Sequence, residues 1–276
     1  MSQTKKVSIA KRLAEAALLI AMGTVLSVFK LIDLPYGGSV TVGSMLPVLI
    51  IAYRYGTGFG MASSLAFGII QQLLGLKTLS YVTTWQSILA VILLDYIVAF
   101  MVIGLGGLFR KLSSERLALV LGALLACILR FACHFTSGIT VWKGISIPMK
   151  AAVIYSLGYN ATYMIPETVI FVALAWYIGS VLDFRGDNVT TFQTVTGKSL
   201  PVLKWIGGLL LAVAVIIDVR FVFSNLQNGE TGDFDITGLS RTDWKMVIII
   251  SAVAVVAALT LFIVDFIKNK KNKQSA

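Results

Sequence analysis

The feature that most constrains this chain is a succession of apolar stretches, most of them near bilayer length, joined by short polar connections. A helix rises about 1.5 Å per residue, so about 20 apolar residues cover the hydrocarbon core. Such stretches run roughly over 13–31, 58–75, 86–109, 117–135, 151–182, 200–217 and 246–267, and a shorter one follows Pro47 to Tyr53. Only helices and closed barrels satisfy their backbone inside lipid, and these runs are too long for barrel strands. The pattern predicts an all-α polytopic membrane protein with eight spans. Charged residues make up 13% of the chain and apolar ones 57%, whereas a soluble domain would carry about a quarter charged.

The net charge of +10 points to topology and not to nucleic acid. Basic residues cluster in alternate connections: Lys5, Lys6, Lys11 and Arg12, then Arg54, Arg110 to Arg116, Arg185 with Lys198, and Lys268 to Lys273. Positive charge is retained on the cytoplasmic side. The chain is therefore expected in the cell membrane with both termini cytoplasmic. The first run lacks a small-residue cleavage site and reads as a retained span. Segments 33–47, 76–84, 136–150 and an acidic loop with Glu230, Asp233, Asp235 and Asp243 fall outside. Cys127 and Cys133 are six apart, off a common helix face, and read as free thiols.

Polar groups within the apolar runs are the functional candidates, because ionisable side chains are costly there. Asp95 lies nine residues past Gln86, so about 14 Å below the outer end of its span. Arg130 and His134, four apart, share a face in the last two turns of an outward span, and Tyr155 and Asn160 lie in the first three turns of the next one. These groups, beside Trp142, converge in the outer half of the membrane and suit a ligand pocket open to the outside. The alternative is an internal network in which Asp95 pairs with Arg130. A lone histidine gives no metal site, Ser137 near His134 lacks the elbow of a hydrolase, and no phosphate-binding G-x-x-x-x-G-K-[ST] loop is present. No cofactor, metal or enzymatic activity is expected. A self-sufficient ion-coupled carrier, with Asp95, His134 and Glu167 as a relay, would show paired repeats and broken helices, and neither is evident.

Several stretches together resemble one family, the thiamine-specific substrate-binding (S) subunits of energy-coupling factor transporters. They are Leu34-Pro-Tyr-Gly-Gly-Ser-Val-Thr-Val-Gly-Ser-Met-Leu-Pro47, Arg54-Tyr-Gly56, Leu94-Asp-Tyr-Ile-Val-Ala-Phe100, His134-Phe-Thr-Ser-Gly138 with Trp142, and Tyr155-Ser-Leu-Gly-Tyr-Asn160. The resemblance implies a six-helix bundle over 1–182 that binds thiamine from outside. It also implies partners, a transmembrane coupling (T) subunit and two ATPases. Residues 183–276 would then be a linker, an extra transmembrane hairpin and a basic cytoplasmic tail. Carried over by motif, Asp95 takes the acidic ligand-facing position, and Tyr96, His134, Gly138, Trp142, Tyr155 and Asn160 match other binding positions. Tyr36 and either Tyr81 or Trp85 match aromatic positions, and Ala17 with Ala21 match a small-residue pair used for docking. A runner-up within the same class is a subunit for another small heterocyclic vitamin.

Overall fold

The structure is a computed structural model that describes residues 8–145, 147, 149–191, 202–226 and 235–274. Lys5, Lys6, Lys198, Glu230, Asp233 and the side chains of the tail beyond Lys268 lie outside the described residues. The chain divides into two compact units, Met1–Thr194 and Val195–Ala276.

The first unit carries six helical rods among the described residues. Helix α1, Ile9–Val28, starts where the Ser8 hydroxyl accepts from the Lys11 amide at 3.2 Å. An antiparallel hairpin follows, β1 Lys30–Asp33 and β2 Ser39–Thr41, turning through Pro35–Gly37. The loop expected here is thus a small β-hairpin. Helix α2, Leu46–Tyr55, is buried at nine of its ten residues. Ten residues cover about 15 Å, half a bilayer core. The expected second span is therefore a short central helix, apolar all round because neighbours cover every side.

Helix α3, Thr57–Leu74, and the long rod α4, Trp85–Lys111, wrap α2. Rod α4 begins α-helical, widens into a π-helical stretch over Ile92–Val98 and tightens into 3₁₀ turns over Val102–Lys111. Gly104 permits the α3–α4 crossing, since a Cβ there would sit 2.3 Å from the Met61 amide nitrogen. Helix α5, Glu115–Thr140, and α6, Ala152–Val181, form the most extensive helix pair of the unit. Val48, Leu49, Phe67, Ile103, Leu119 and Phe171 meet in the shared core.

The sequence places a loop from Thr136, yet α5 continues to Thr140. The Thr136 and Thr140 hydroxyls donate back to Ala132 and Thr136 carbonyls at 2.8 and 2.6 Å, so they are satisfied within the helix. Arg130 consequently lies ten residues from the helix end, about three turns down and not two. A two-residue ladder, β3 Leu182–Asp183 with β4 Thr190–Thr191, closes the unit.

At the end of this unit opposite the hairpin, charges are paired. Arg54 Nε lies 3.1 Å from Glu15 Oε2, and the Tyr55 hydroxyl also donates to Glu15. Arg185 Nε lies 3.1 Å from Glu115, which also accepts from the Phe184 amide. The Tyr53 hydroxyl beside Arg185 holds that guanidinium above its ordinary value.

The second unit pairs α7, Val202–Asn225, with α8, Trp244–Gln274, and a 3₁₀ turn at Ile236–Ser240 lies in the connection between them. Asp235 caps that turn. The Thr237 hydroxyl and amide, with Arg241 at 2.7 Å, hold its carboxyl below the usual value. Within the hairpin Ser251 donates to Asp218 at 2.6 Å. Five described helices are long and apolar enough to cross a membrane: α4, α5, α6 and the two of the second unit.

Candidate ligand-binding site

The hairpin end of the first unit encloses a cavity of about 370 Å³. Helices α4, α5 and α6 supply most of its helical wall, the ends of α1 and α3 add Ser27, Val28, Gln71 and Leu74, and the β1–β2 turn covers it. Asp95 enters from the π-helical stretch of α4. A π turn swings side chains out of the usual α-helical register, and such turns recur at functional sites. Consecutive residues Asp95 and Tyr96 both line the cavity as a result.

The Asp95 carboxyl gathers three donors from the far side of the sequence. His134 Nδ1 lies 3.0 Å from Oδ1, while Ser137 Oγ and Trp142 Nε1 donate to Oδ2 at 2.7 and 3.0 Å. Extension of α5 through Gly138 puts Ser137 within this reach. Gly138 also lets α6 approach closely, since a Cβ there would stand 2.1 Å from Ser156 Oγ. Charge-assisted hydrogen bonds of this kind are strong and fix geometry.

Above this carboxyl sits an aromatic cover. The Tyr36 ring lies 6.3 Å from Trp142 and 5.0 Å, edge-on, from Tyr81. Tyr36 has φ 65°, followed by Gly37 at φ 112°. A left-handed backbone is strained at a bulky residue, and such strain collects at ligand clamps. The Tyr96 hydroxyl donates to Thr78 Oγ1 at 3.1 Å and fixes the next turn of the wall.

Deeper, the Glu167 carboxyl accepts from the Thr41 amide at 2.6 Å and hydroxyl at 2.8 Å, tying the hairpin to α6. Tyr163 donates to Asn160 Oδ1 at 2.7 Å, and Asn160 Nδ2 donates to the Ser156 carbonyl at 2.9 Å. Arg130 is not paired with Asp95, as the internal-network alternative requires. Its guanidinium carbon lies 4.1 Å from the Phe100 ring centroid. The helical wall thus holds two carboxyl groups, Asp95 and Glu167, against one guanidinium. At the mouth, Lys30 and Asp33 offset each other at 2.9 Å.

The structure brings Asp95, Tyr96, His134, Gly138, Trp142, Asn160 and Tyr36 into one lining. Three other candidates stand outside it. Tyr81 braces Tyr36 from behind, and Trp85 is 70% exposed. Tyr155 sits on the first turn of α6, one turn short of the wall, and Tyr159 occupies the corresponding place inside. The sequence reading did not single out Tyr159, Tyr163 or Thr41 as wall residues. Tyr159, Tyr163 and Glu167 recur every four residues along α6, a spacing that places them on one helix face and that Tyr155 shares. Ala17 and Ala21 are exposed on α1 and lie outside the lining, to which the end of that helix contributes Ser27 and Val28.

Comparison with known proteins gives concordant results. A family model described as "Thiamine transporter protein" matches residues 13–183. The thiamine transporter ThiT of Bacillus subtilis (strain 168) is 33% identical over 183 residues, covering 62% of this chain and 89% of that protein. The structure of ThiT from Listeria monocytogenes superposes with a TM-score of 0.50 at 20% identity, covering 61% of this chain and 92% of that one. This structural likeness speaks for the shared helical fold. The family match spans more than half of the 276 residues and includes every wall of the cavity, so the chain belongs to the thiamine transporter protein family.

Proposed function

We propose that this protein binds thiamine in the cavity and serves as the substrate-specific membrane subunit of an energy-coupling factor importer. Partner subunits, a transmembrane T subunit and two ATPases, would then supply the ATP hydrolysis, for which this chain carries no phosphate-binding loop. The family is one of transporters and not of enzymes.

The observation that carries the reading is the Asp95 carboxyl, 13% exposed, held by the Trp142 ring N–H with the Tyr36 ring 6.3 Å from Trp142. Thiamine is a thiazolium cation joined to an aminopyrimidine. A carboxylate in a water-poor site offsets such a cation, and aromatic faces attract it further. The excess of one carboxyl group over the guanidinium in the wall suits a single positive charge. A volume of about 370 Å³ lies within the range of small-molecule sites.

Sidedness follows from the basic connections. With Arg12, Arg54, Arg110 and Arg185 at the cytoplasmic face, both termini are cytoplasmic and the cavity opens outward. Ala17 and Ala21 offer a small-residue stripe on α1 against which the T subunit packs. Titrating the detergent-purified protein with thiamine while following tryptophan fluorescence tests the binding site. Saturable quenching is expected, and a flat response from folded protein would refute it. Ala17→Trp should leave that titration unchanged while abolishing ATP-dependent uptake, and normal uptake would remove the docking role.

A further inference from the structure

We infer that Lys11 is a positioning residue for subunit docking, which ties helix α1 to the segment 184–188 and so sets which face of α1 meets the T subunit. The inference rests on the docking reading above and adds what holds the docking helix in place.

Helix α1 buries Ala16, Gly23 and Ser27, so no large side chain keys it into the unit. Lipid chains are as apolar as the helices they surround, and polar ties therefore weigh heavily in placing such a helix. The ties of α1 lie at its basic start. Lys11 Nζ donates to the Asp187 carbonyl at 2.7 Å and to Asn188 Oδ1 at 2.8 Å. One turn on, Glu15 meets Arg54 Nε at 3.1 Å. Arg54 in turn donates to the Phe184 and Asp187 carbonyls at 3.0 and 3.2 Å, so the Asp187 carbonyl accepts from both cations.

Segment 184–188 is itself fixed. Phe184 is 5% exposed with its ring 6.4 Å from that of Tyr53, and its amide donates to Glu115. Arg185 donates to the Leu112 carbonyl at 2.9 Å. Through this segment the start of α1 is referred to α2 and α5. The family match ends at residue 183, so these holding residues lie just past it, in the connection that leads to the second unit.

A helix turns about 100° per residue, so Lys11 and Glu15 share a face, and Ala17 with Ala21 lie about 120° round from it. Both alanines are exposed. The Glu15–Arg54 contact pins one point, about which α1 can still rotate. The Lys11 tie, one turn and about 6 Å away, adds a second point and fixes the rotation. Turning α1 by one residue would put Leu18, 73% exposed, where Ala17 stands, and the close approach that small residues allow would be lost.

The test pairs ATP-dependent uptake of labelled thiamine, in cells making the full chain with its coupling subunits, with calorimetric thiamine affinity of the purified chain. K11M removes both bonds, K11R keeps a cation with donors, and N188A removes one acceptor while leaving every charge in place. The Lys11 side chain is 36% exposed, which keeps the expected effect moderate. K11M should hold thiamine affinity within about twofold and lower uptake about five- to tenfold. K11R should restore most of the uptake, and N188A should lower it about threefold. K11M with N188A should be no worse than K11M alone, because the two residues act through one tie. Full uptake in K11M overturns the inference, as do a parallel loss of affinity, no rescue by K11R, or additive losses in the double variant. Such a result beside an inactive A17W leaves the docking reading standing, whereas normal uptake in A17W overturns that reading together with this one. If K11M does not reach the membrane, N188A decides: reduced uptake at unchanged affinity supports the inference, and full uptake overturns it.

Discussion

The two ends of the first unit differ in where their arginines find opposite charge. At the basic end, Arg54 meets Glu15 at 3.1 Å and donates to the Phe184 carbonyl at 3.0 Å, and Glu115 meets Arg185 and the Phe184 amide. At the cavity end, Arg130 lines the cavity with no carboxylate in ion-pair distance among the described residues. Buried nitrogens without a hydrogen-bond partner occur at both ends, Arg130 Nε and Nη1 here and Arg12 Nε and Arg54 Nε there. Both ends contain ionisable groups in an apolar setting, so their presence alone does not mark a binding site. Ion pairing and enclosure together separate the two ends: Arg54 and Arg185 meet carboxylates away from the cavity, and Arg130 lines it without one among the described residues.

That contrast can be broken at either end. The largest expected effect is on stability at the basic end. The Arg54 side chain is 3% exposed. Arg54→Ala removes its ion pair with Glu15 and its bonds to the Phe184 and Asp187 carbonyls, while Glu15 keeps Lys11 at 3.9 Å and Tyr55. The loss should cost about 3 kcal/mol in all. Thermal unfolding in detergent should show it, while thiamine affinity of the folded fraction stays within about threefold. A large affinity loss at unchanged stability would reverse the roles of the two ends. Next comes Asp95→Asn, which keeps the shape of the site and removes its charge. Affinity should fall roughly 100-fold, about 3 kcal/mol, with membrane insertion unchanged. Equal affinity would remove Asp95 from the site. The smallest effect is expected at Trp85, outside the cavity on the first turn of α4. Trp85→Phe should alter calorimetric affinity by less than about twofold, and a larger loss would extend the site beyond the cavity walls.

The second unit sharpens the same lesson from another side. Its hairpin has a buried Asp218 bonded to Ser251, but the family match ends at residue 183. A polar group in an apolar helix was as legible there as Asp95 was in the first unit. What sets Asp95 apart is the enclosing cavity and the aromatic cover, and neither can be read from one helix.

The sequence by itself determined the class and the order of the helices. Bilayer-length runs and alternating basic connections dictate membrane helices, because no other open structure satisfies its backbone in lipid. Local spacing also put His134 on the face of Arg130, and the depth count brought Asp95 to the level of α5 and α6. Tertiary structure alone decided the rest. It buried α2 on all sides, and its π-helical stretch turned Asp95 and Tyr96 inward together. It chose Tyr159 over Tyr155, and gave Asp95 to His134, Ser137 and Trp142 while leaving Arg130 to Phe100. The physical reason is the reach of the contacts. Asp95 bonds residues 39 to 47 positions away, and Thr41 meets Glu167 across 126. Spacing along one helix fixes a face and a depth, but the rotation of that face toward its neighbours is set by packing between helices.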